Sequence, residues 1–285
     1  MYMPPPWGGG KKVESGLMNN ITEISSYPDD PRQLKIFRAG QQGYLLESGG
    51  VQIGIDLYLT PSPKRLIPNF FEAEDLSSLS LLLGTHNHLD HIDKMAWARI
   101  AATCPMVKFV APAYFEDKLP QELAIDKNRF LFVDENRPVE FHDIHIRAVA
   151  AAHEFLEKDA VTGYHPYLCY VVDFNGYKLF HAGDTCRYDG FAGKISESGA
   201  LDVAFLPING RDAKRYASGC IGNMTYQEAA DLAGDIRPTV TIPGHYDMFA
   251  HNSEDPELFR TYMEVKYPSL KCVAMPAGTS FVYGR

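Results

Sequence analysis

What this 285-residue chain has little of narrows its class before any motif is read. No stretch approaches the roughly 20 consecutive apolar residues of a membrane span. The segment Met1 to Lys12 is rich in proline and glycine and has no apolar core of a signal peptide, so a cytoplasmic protein with no membrane partner is expected. Cysteine is sparse. Cys104, Cys169, Cys186, Cys220 and Cys272 make an odd set without paired spacing, which fits reduced thiols and excludes a disulfide framework. Basic charge does not dominate either. Lys and Arg total 27 against 36 Asp and Glu, and the resulting net charge of −9 repels polyanions and argues against a nucleic-acid partner. No glycine-rich dinucleotide fingerprint is present to support a flavin-linked redox role.

What is present is ordinary for a folded domain: 45% hydrophobic and 22% charged residues, enough to bury a sizeable core. Residues 1–31, with Pro4-Pro5-Pro6 and Gly8-Gly9-Gly10, read as an irregular N-terminal arm. A short helix is expected near Met18 to Ser26, and the arm is suited to packing on the body or on a second subunit of a homo-oligomer. Residues 32–285 read as one domain.

That domain opens with strand-like runs at Leu34 to Phe37, Gly43 to Glu47 and Val51 to Leu57, divided by Gly40 and Gly49-Gly50, which predicts an antiparallel meander. Strands and helices then alternate, as in α/β architecture. Helices are expected at Ile92 to Ile100, Tyr114 to Lys118, Tyr226 to Ala233 and Pro256 to Tyr267. Thr225 with Glu228 is a capping box, and Asp255-Pro256 is an N-cap with proline at the first helical position. Further strands are expected at Val107 to Val110, Phe130 to Val133, Val139 to Ala150, Tyr167 to Phe174, Tyr177 to Phe180, Val203 to Leu206, Thr239 to Ile242, Lys271 to Ala274 and Ser280 to Tyr283. Asn175-Gly176 is a hairpin turn. Two β-rich halves with helices imply two packed sheets covered outside.

The chemistry concentrates in Thr85-His86-Asn87-His88-Leu89-Asp90-His91-Ile92-Asp93, directly after the apolar run Leu79 to Leu83 and Gly84. Gly84 is expected to let the backbone turn sharply there. Imidazoles and carboxylates at this density are the ligand set of a zinc, manganese or iron site. One segment cannot saturate two metals. Three further segments offer His or Asp where a strand gives way to a loop: Ala151-Ala152-His153-Glu154, His181-Ala182-Gly183-Asp184 and Pro243-Gly244-His245-Tyr246.

The motif THNHLDH, with AAH, HAGD and PGH following in that order, resembles the metallo-β-lactamase fold superfamily. THNHLDHID, AAHE, LPINGRD and PGHYDMF most resemble the L-ascorbate-6-phosphate lactonase group, whose members are cytoplasmic and manganese-dependent. The resemblance implies a four-layer αββα sandwich with the site at the edge of its two sheets. It also implies that His86, His88 and His153 bind one metal and that Asp90, His91 and His245 belong to a second position, with Asp184 bridging. One or two ions of Mn²⁺ or Zn²⁺ per chain are expected. A divalent cation lowers the pKa of a water from about 15.7 to about 7 and polarises a carbonyl or phosphoryl oxygen.

Asp90, the carboxylate inside the cluster, is the candidate to orient or deprotonate that water. The expected reaction is opening of a sugar-acid lactone resembling ascorbate 6-phosphate, with phosphodiester hydrolysis on the same fold as the alternative. An anionic small molecule would need cations, and Arg187, Arg211 and Arg215 are candidates to clamp it, with Tyr246 donating to a substrate oxygen. Asp56, at the end of the third strand-like run, is a candidate either to bond the metal loop or to form a turn. The segment His153 to Pro166 departs from the lactonase group, so metal-dependent hydrolysis is better supported than ascorbate phosphate itself.

Overall fold

The computed structural model describes Asp30 and residues 32–284; the arm, apart from Asp30, and its expected helix lie outside the described residues. Strands β1 (Gln33–Gly40), β2 (Gly43–Ser48) and β3 (Val51–Ile55) form the expected meander. Strands β4 (Leu79–Leu83), β5 (Lys108–Pro112) and β6 (Phe130–Val133) extend it in parallel. Next come β7 (Val139–Phe141), β8 (Ile144–Ala150), a separate hairpin of β9 (Ala152–His153) and β10 (Phe155–Leu156), β11 (Leu168–Phe174), β12 (Tyr177–His181), β13 (Val203–Pro207), β14 (Val240–Gly244) and β15 (Lys271–Cys272). All but the hairpin form the second sheet, in the order β15-β14-β13-β12-β11-β8-β7. The last strand, β16 (Ser280–Gly284), crosses back to pair with β1. The two sheets therefore do not divide the chain into two sequential halves.

The helices are α1 (Lys94–Thr103), α2 (Leu119–Leu123), α3 (Phe191–Ser196), α4 (Ala213–Ala217), α5 (Tyr226–Ile236) and α6 (Pro256–Lys266). The helix expected at Tyr114 to Lys118 is instead a single 3-10 turn at Ala113–Phe115 followed by α2. Helices α3 and α4 are too short for a periodic apolar pattern to announce them. Both expected helix starts are present: Thr225 and Glu228 close the capping box of α5, and Asp255 caps α6 ahead of Pro256.

Strand alternation sorts the apolar side chains into three layers. Leu34, Ile36, Ile53, Leu81 and Leu83 face Ile146, Tyr170, Val172, Phe205 and Ile242 between the sheets. On the outer face of the first sheet, Phe37, Leu82 and Phe109 pack against Trp97 and Ile100 of α1. On the outer face of the second, Val171, Phe180 and Leu206 pack against Phe191, Leu232 and Phe259 of α3, α5 and α6. Three apolar interfaces separate four layers, which is the expected αββα sandwich. Burying one Leu, Ile or Phe contributes about 1.5–3 kcal/mol, so these layers stabilise the body. The edge of the sandwich lacks that resource and is held by hydrogen bonds.

Gly84 ends β4 for a different reason from the one the sequence suggested. Its φ is not in the left-handed region; a Cβ there would sit 2.3 Å from Ile92 Cγ1 and 2.9 Å from Trp97. The glycine is needed for close approach of α1 to the strand end. Gly84→Ala is expected to lower stability by about 1–3 kcal/mol, the usual cost of overpacking, seen as an earlier denaturant midpoint. An unchanged midpoint would show that the contact is slack.

Candidate metal centre

Four loops reach one edge of the sandwich from the ends of β4, β8, β12 and β14. The loop after β4 folds tightly, with the N–H groups of His91 and Ile92 both donating to His88 O at 3.1 and 2.8 Å. Asp56, just after β3, grips it. Its carboxylate accepts from Thr85 N and Thr85 Oγ1, each at 2.8 Å, and lies 2.7 Å from His91 Nδ1. Asp93 ends the loop as the N-cap of α1. Its carboxylate takes the N–H of Ala96 and both donors of Thr60, so it is a structural anchor outside the ligand cluster.

The other three segments are tied to each other. His153 lies on the β9–β10 hairpin, where Ala152 N donates to Thr185 Oγ1 at 3.0 Å and Ala152 O accepts from Cys186 N at 2.8 Å. Asp184 follows Gly183, whose φ of +56° suits glycine. His245 adopts φ +61° and donates its N–H to Gln41 O at 2.7 Å. Nine non-glycine residues among those described have positive φ, and Gln41, Asp56, Glu154, His245 and Asp247 lie beside this edge. Strain of this kind persists where surrounding bonds over-determine the backbone, and it gathers at sites.

The structure brings all seven expected ligands together. His86 Nε2 and His153 Nε2 lie 3.0 and 3.2 Å from His88 Nδ1. Asp184 Oδ1 is 3.3 Å from His91 Nε2, while its Oδ2 is 3.2 Å from His245 Nε2 and 3.9 Å from His153 Nε2. Asp90 Oδ2 is 3.7 Å from His91 Nε2 and 3.9 Å from His245 Nε2. Three overlapping groups, His86 with His88 and His153, His86 with His91 and Asp184, and Asp90 with His91 and His245, each hold their ligand atoms within 4.8 Å.

These separations suit a shared cation. Nitrogens about 2.0–2.1 Å from a tetrahedral ion stand about 3.3 Å apart. His91 Nε2 and Asp184 Oδ1 are buried without a hydrogen-bond partner, which a cation between them would satisfy.

Electrostatics divide these donors into two kinds. Burial pushes His86 well below the usual imidazole range, lowers His88, and brings His153 down to about 4, so their lone pairs are free at neutral pH. For His91, burial is outweighed by Asp184, Asp56 and Asp90, which hold its pKa well above that range. Burial would raise Asp184, but His245 and His91 hold it well below the usual carboxylate range; Asp90 is lowered against burial by the same two rings and by Gln41.

The residues expected to clamp an anion are each engaged with protein acceptors. Arg187 pairs with Asp235 at 2.5 Å. Arg211 pairs with both oxygens of Glu228, at 2.6 and 2.7 Å, and bonds Asn223 O. Arg215 donates to Ser253 O at 2.7 Å and meets Asp212 at 3.3 Å. Tyr246 is buried, its hydroxyl on Met275 O at 2.6 Å and its ring under Arg38. Each of these four side chains thus already has a protein partner.

Glu154 meets the Tyr216 hydroxyl. His181 is buried, its Nε2 facing Gln42 O at 2.9 Å and its Nδ1 accepting from Gly183 N at 3.2 Å, so it orients the turn before Asp184. His165, which has no evident partner in the sequence, is buried against Asp134 at 3.2 Å and pins the loop before β11. Sequence reasoning missed Gln41, which reaches Asp90, and Tyr167, whose ring packs on His86, His88 and His153.

Two mixed sheets between helices, with ligand-bearing loops at their common edge, define the metallo-β-lactamase fold. The chain belongs to the beta-lactamase superfamily domain family, which matches residues 54–246. A UPF0173 metal-dependent hydrolase of Thermococcus kodakarensis is 28% identical over 229 residues, 80% of this chain and 91% of its own. Among solved structures, Igni18, a metallo hydrolase of Ignicoccus hospitalis, has TM-score 0.70 at 23% identity, covering 89% of this chain and 99% of its own. CmlA, a diiron β-hydroxylase of Streptomyces venezuelae, has TM-score 0.67 at 15% identity over 90% of this chain and 55% of its own.

Asp56→Ala strips partners from Thr85 N, Thr85 Oγ1 and His91 Nδ1. Each buried group left unpaired costs about 1–3 kcal/mol, and cation affinity is expected to fall about 10–100-fold. Thermal melting with chelator and a zinc titration measure the two effects separately; wild-type values in both would remove Asp56 from the account.

Proposed function

We propose that this protein is a metal-dependent hydrolase that opens a carboxylic ester ring, a lactone, to a hydroxy acid. The observation that carries the reading is the meeting of four histidine- and aspartate-bearing loops around Asp184, with unsatisfied ligand atoms facing one another. His86, His88 and His153 would hold one cation, and Asp90, His91 and His245 a second, with Asp184 reaching both. Manganese or zinc bound there would supply a water acidic enough to act at neutral pH and would polarise the substrate carbonyl.

The chain's own groups do the rest. Asp90 is the partly exposed carboxylate of the cluster, ionised because burial is outweighed by His91 and His245, so it can accept the water's proton. Hydroxide adds to the carbonyl carbon, the acyl carbon–oxygen bond of the ring breaks, and the departing alkoxide takes the proton back from Asp90. Asp56 fixes His91 through Nδ1, which leaves Nε2 turned to Asp184.

Carbonyl chemistry is favoured over phosphodiester hydrolysis by the surroundings. Arg187, Arg211 and Arg215 are engaged by protein acceptors, whereas Leu89, between the ligands, and Phe155, opposite His153 in the hairpin, are 57% and 66% exposed. A neutral ester needs no arginine clamp, and a lactone without a phosphate suits these surroundings.

Elemental analysis of protein purified without added metal is expected to find manganese or zinc. Chelation should abolish turnover of a lactone panel, and either metal should restore it. Asp90→Asn should lower kcat about 10²–10⁴-fold, the usual contribution of a positioned base. Turnover of phosphodiesters but of no lactone would overturn the carbonyl reading, and protein that takes up no metal would overturn the whole.

A further inference from the structure

We propose that Gln41 is a positioning residue that fixes the Asp90 and His245 half of the site across the seam between the two sheets; this rests on reading the site as a metal centre. Gln41 lies in the β1–β2 turn of the first sheet and is completely buried, although neither its charge class nor its sequence context marks it as functional. Two separate groups of this one residue reach the site. Its carbonyl accepts the His245 N–H at 2.7 Å. Its side-chain Nε2 donates to Asp90 Oδ2 at 3.0 Å and lies 3.4 Å from His245 Nε2. A carboxylate only accepts, so the amide must present nitrogen to Asp90. That orientation leaves Oε1 buried without a protein partner.

The backbone is also held in a disfavoured state. Gln41 has φ +52°, a conformation that glycine would adopt freely, yet glycine would bring no amide. Arg38 keeps the turn in place from behind. Its buried guanidinium donates to Gln41 O at 3.3 Å, to Tyr246 O at 2.9 Å and to Asp247 at 2.5 Å, so the turn and the His245 loop share one cation. The other half of the site, His86, His88 and His153, is positioned from the β4 loop and the β9–β10 hairpin. Gln41 should therefore act on one half of the centre and spare the other.

A titration of chelator-stripped protein with Co²⁺, followed by visible absorption, separates the halves. Gln41→Met replaces the donor by an apolar group of similar length; Gln41→Gly removes the amide while keeping the left-handed backbone and its carbonyl. In both variants one equivalent of Co²⁺ is expected to bind about 10–100-fold more weakly, with the other unchanged. A purely structural role would weaken both equivalents together or neither, and either result overturns the proposal. So does loss of the fold in both variants by circular dichroism, or a wild-type protein that binds a single equivalent. Wild-type protein that binds none would overturn the metal-centre reading itself, a separate failure.

Discussion

The buried carboxylate of Asp184 is the constraint on which the rest of this edge depends. An unpaired charge out of water costs several kcal/mol, and Asp184 is nearly inaccessible. It stays ionised, against the effect of burial, because His245 and His91 stand 3.2 and 3.3 Å away. The His91 ring is itself held from behind by Asp56, and the Gln41 carbonyl holds the His245 backbone N–H. Meanwhile His86, His88 and His153 are kept neutral, mainly by burial. A set of anionic oxygens and free imidazole nitrogens facing inward is a place prepared for positive charge.

The sandwich explains how such distant residues meet. Loops after β4, β8, β12 and β14 all open at one edge, and two sheets packed through Leu81, Leu83, Tyr170 and Phe205 set the distance between them. Specific bonds close the edge. Arg38 and Gln41 join the first sheet to the β14 loop, and Thr185 joins the β9–β10 hairpin to the Asp184 segment. The left-handed residues at the edge show backbone preference yielding to that geometry.

Much of this was legible in the sequence, and the part that was not has physical reasons. Strand-like runs divided by glycines marked β1 to β3, and turn and cap chemistry marked the Asn175-Gly176 hairpin and the starts of α5 and α6, because these signals are local. Ligand types at strand ends likewise pointed to the residues that converge. The return of β16 to the first sheet is a non-local pairing that no local pattern reports. The partners of the arginines were not legible because a charge cluster does not reveal them: Glu228, read as the capping-box residue of α5, also holds Arg211. Gln41 was missed because an uncharged amide becomes functional only through what it faces.

The same architecture carries a diiron β-hydroxylase in Streptomyces venezuelae and a metallo hydrolase in Ignicoccus hospitalis, so fold alone does not choose the chemistry; the ion and its surroundings do. X-ray absorption at the metal edge of protein purified without added metal tests the central claim most directly. The account predicts a shell of nitrogen and oxygen alone, at about 2.0–2.2 Å with imidazole scattering if the ion is zinc. A shell containing sulfur at about 2.3 Å, or no edge at all, would contradict it.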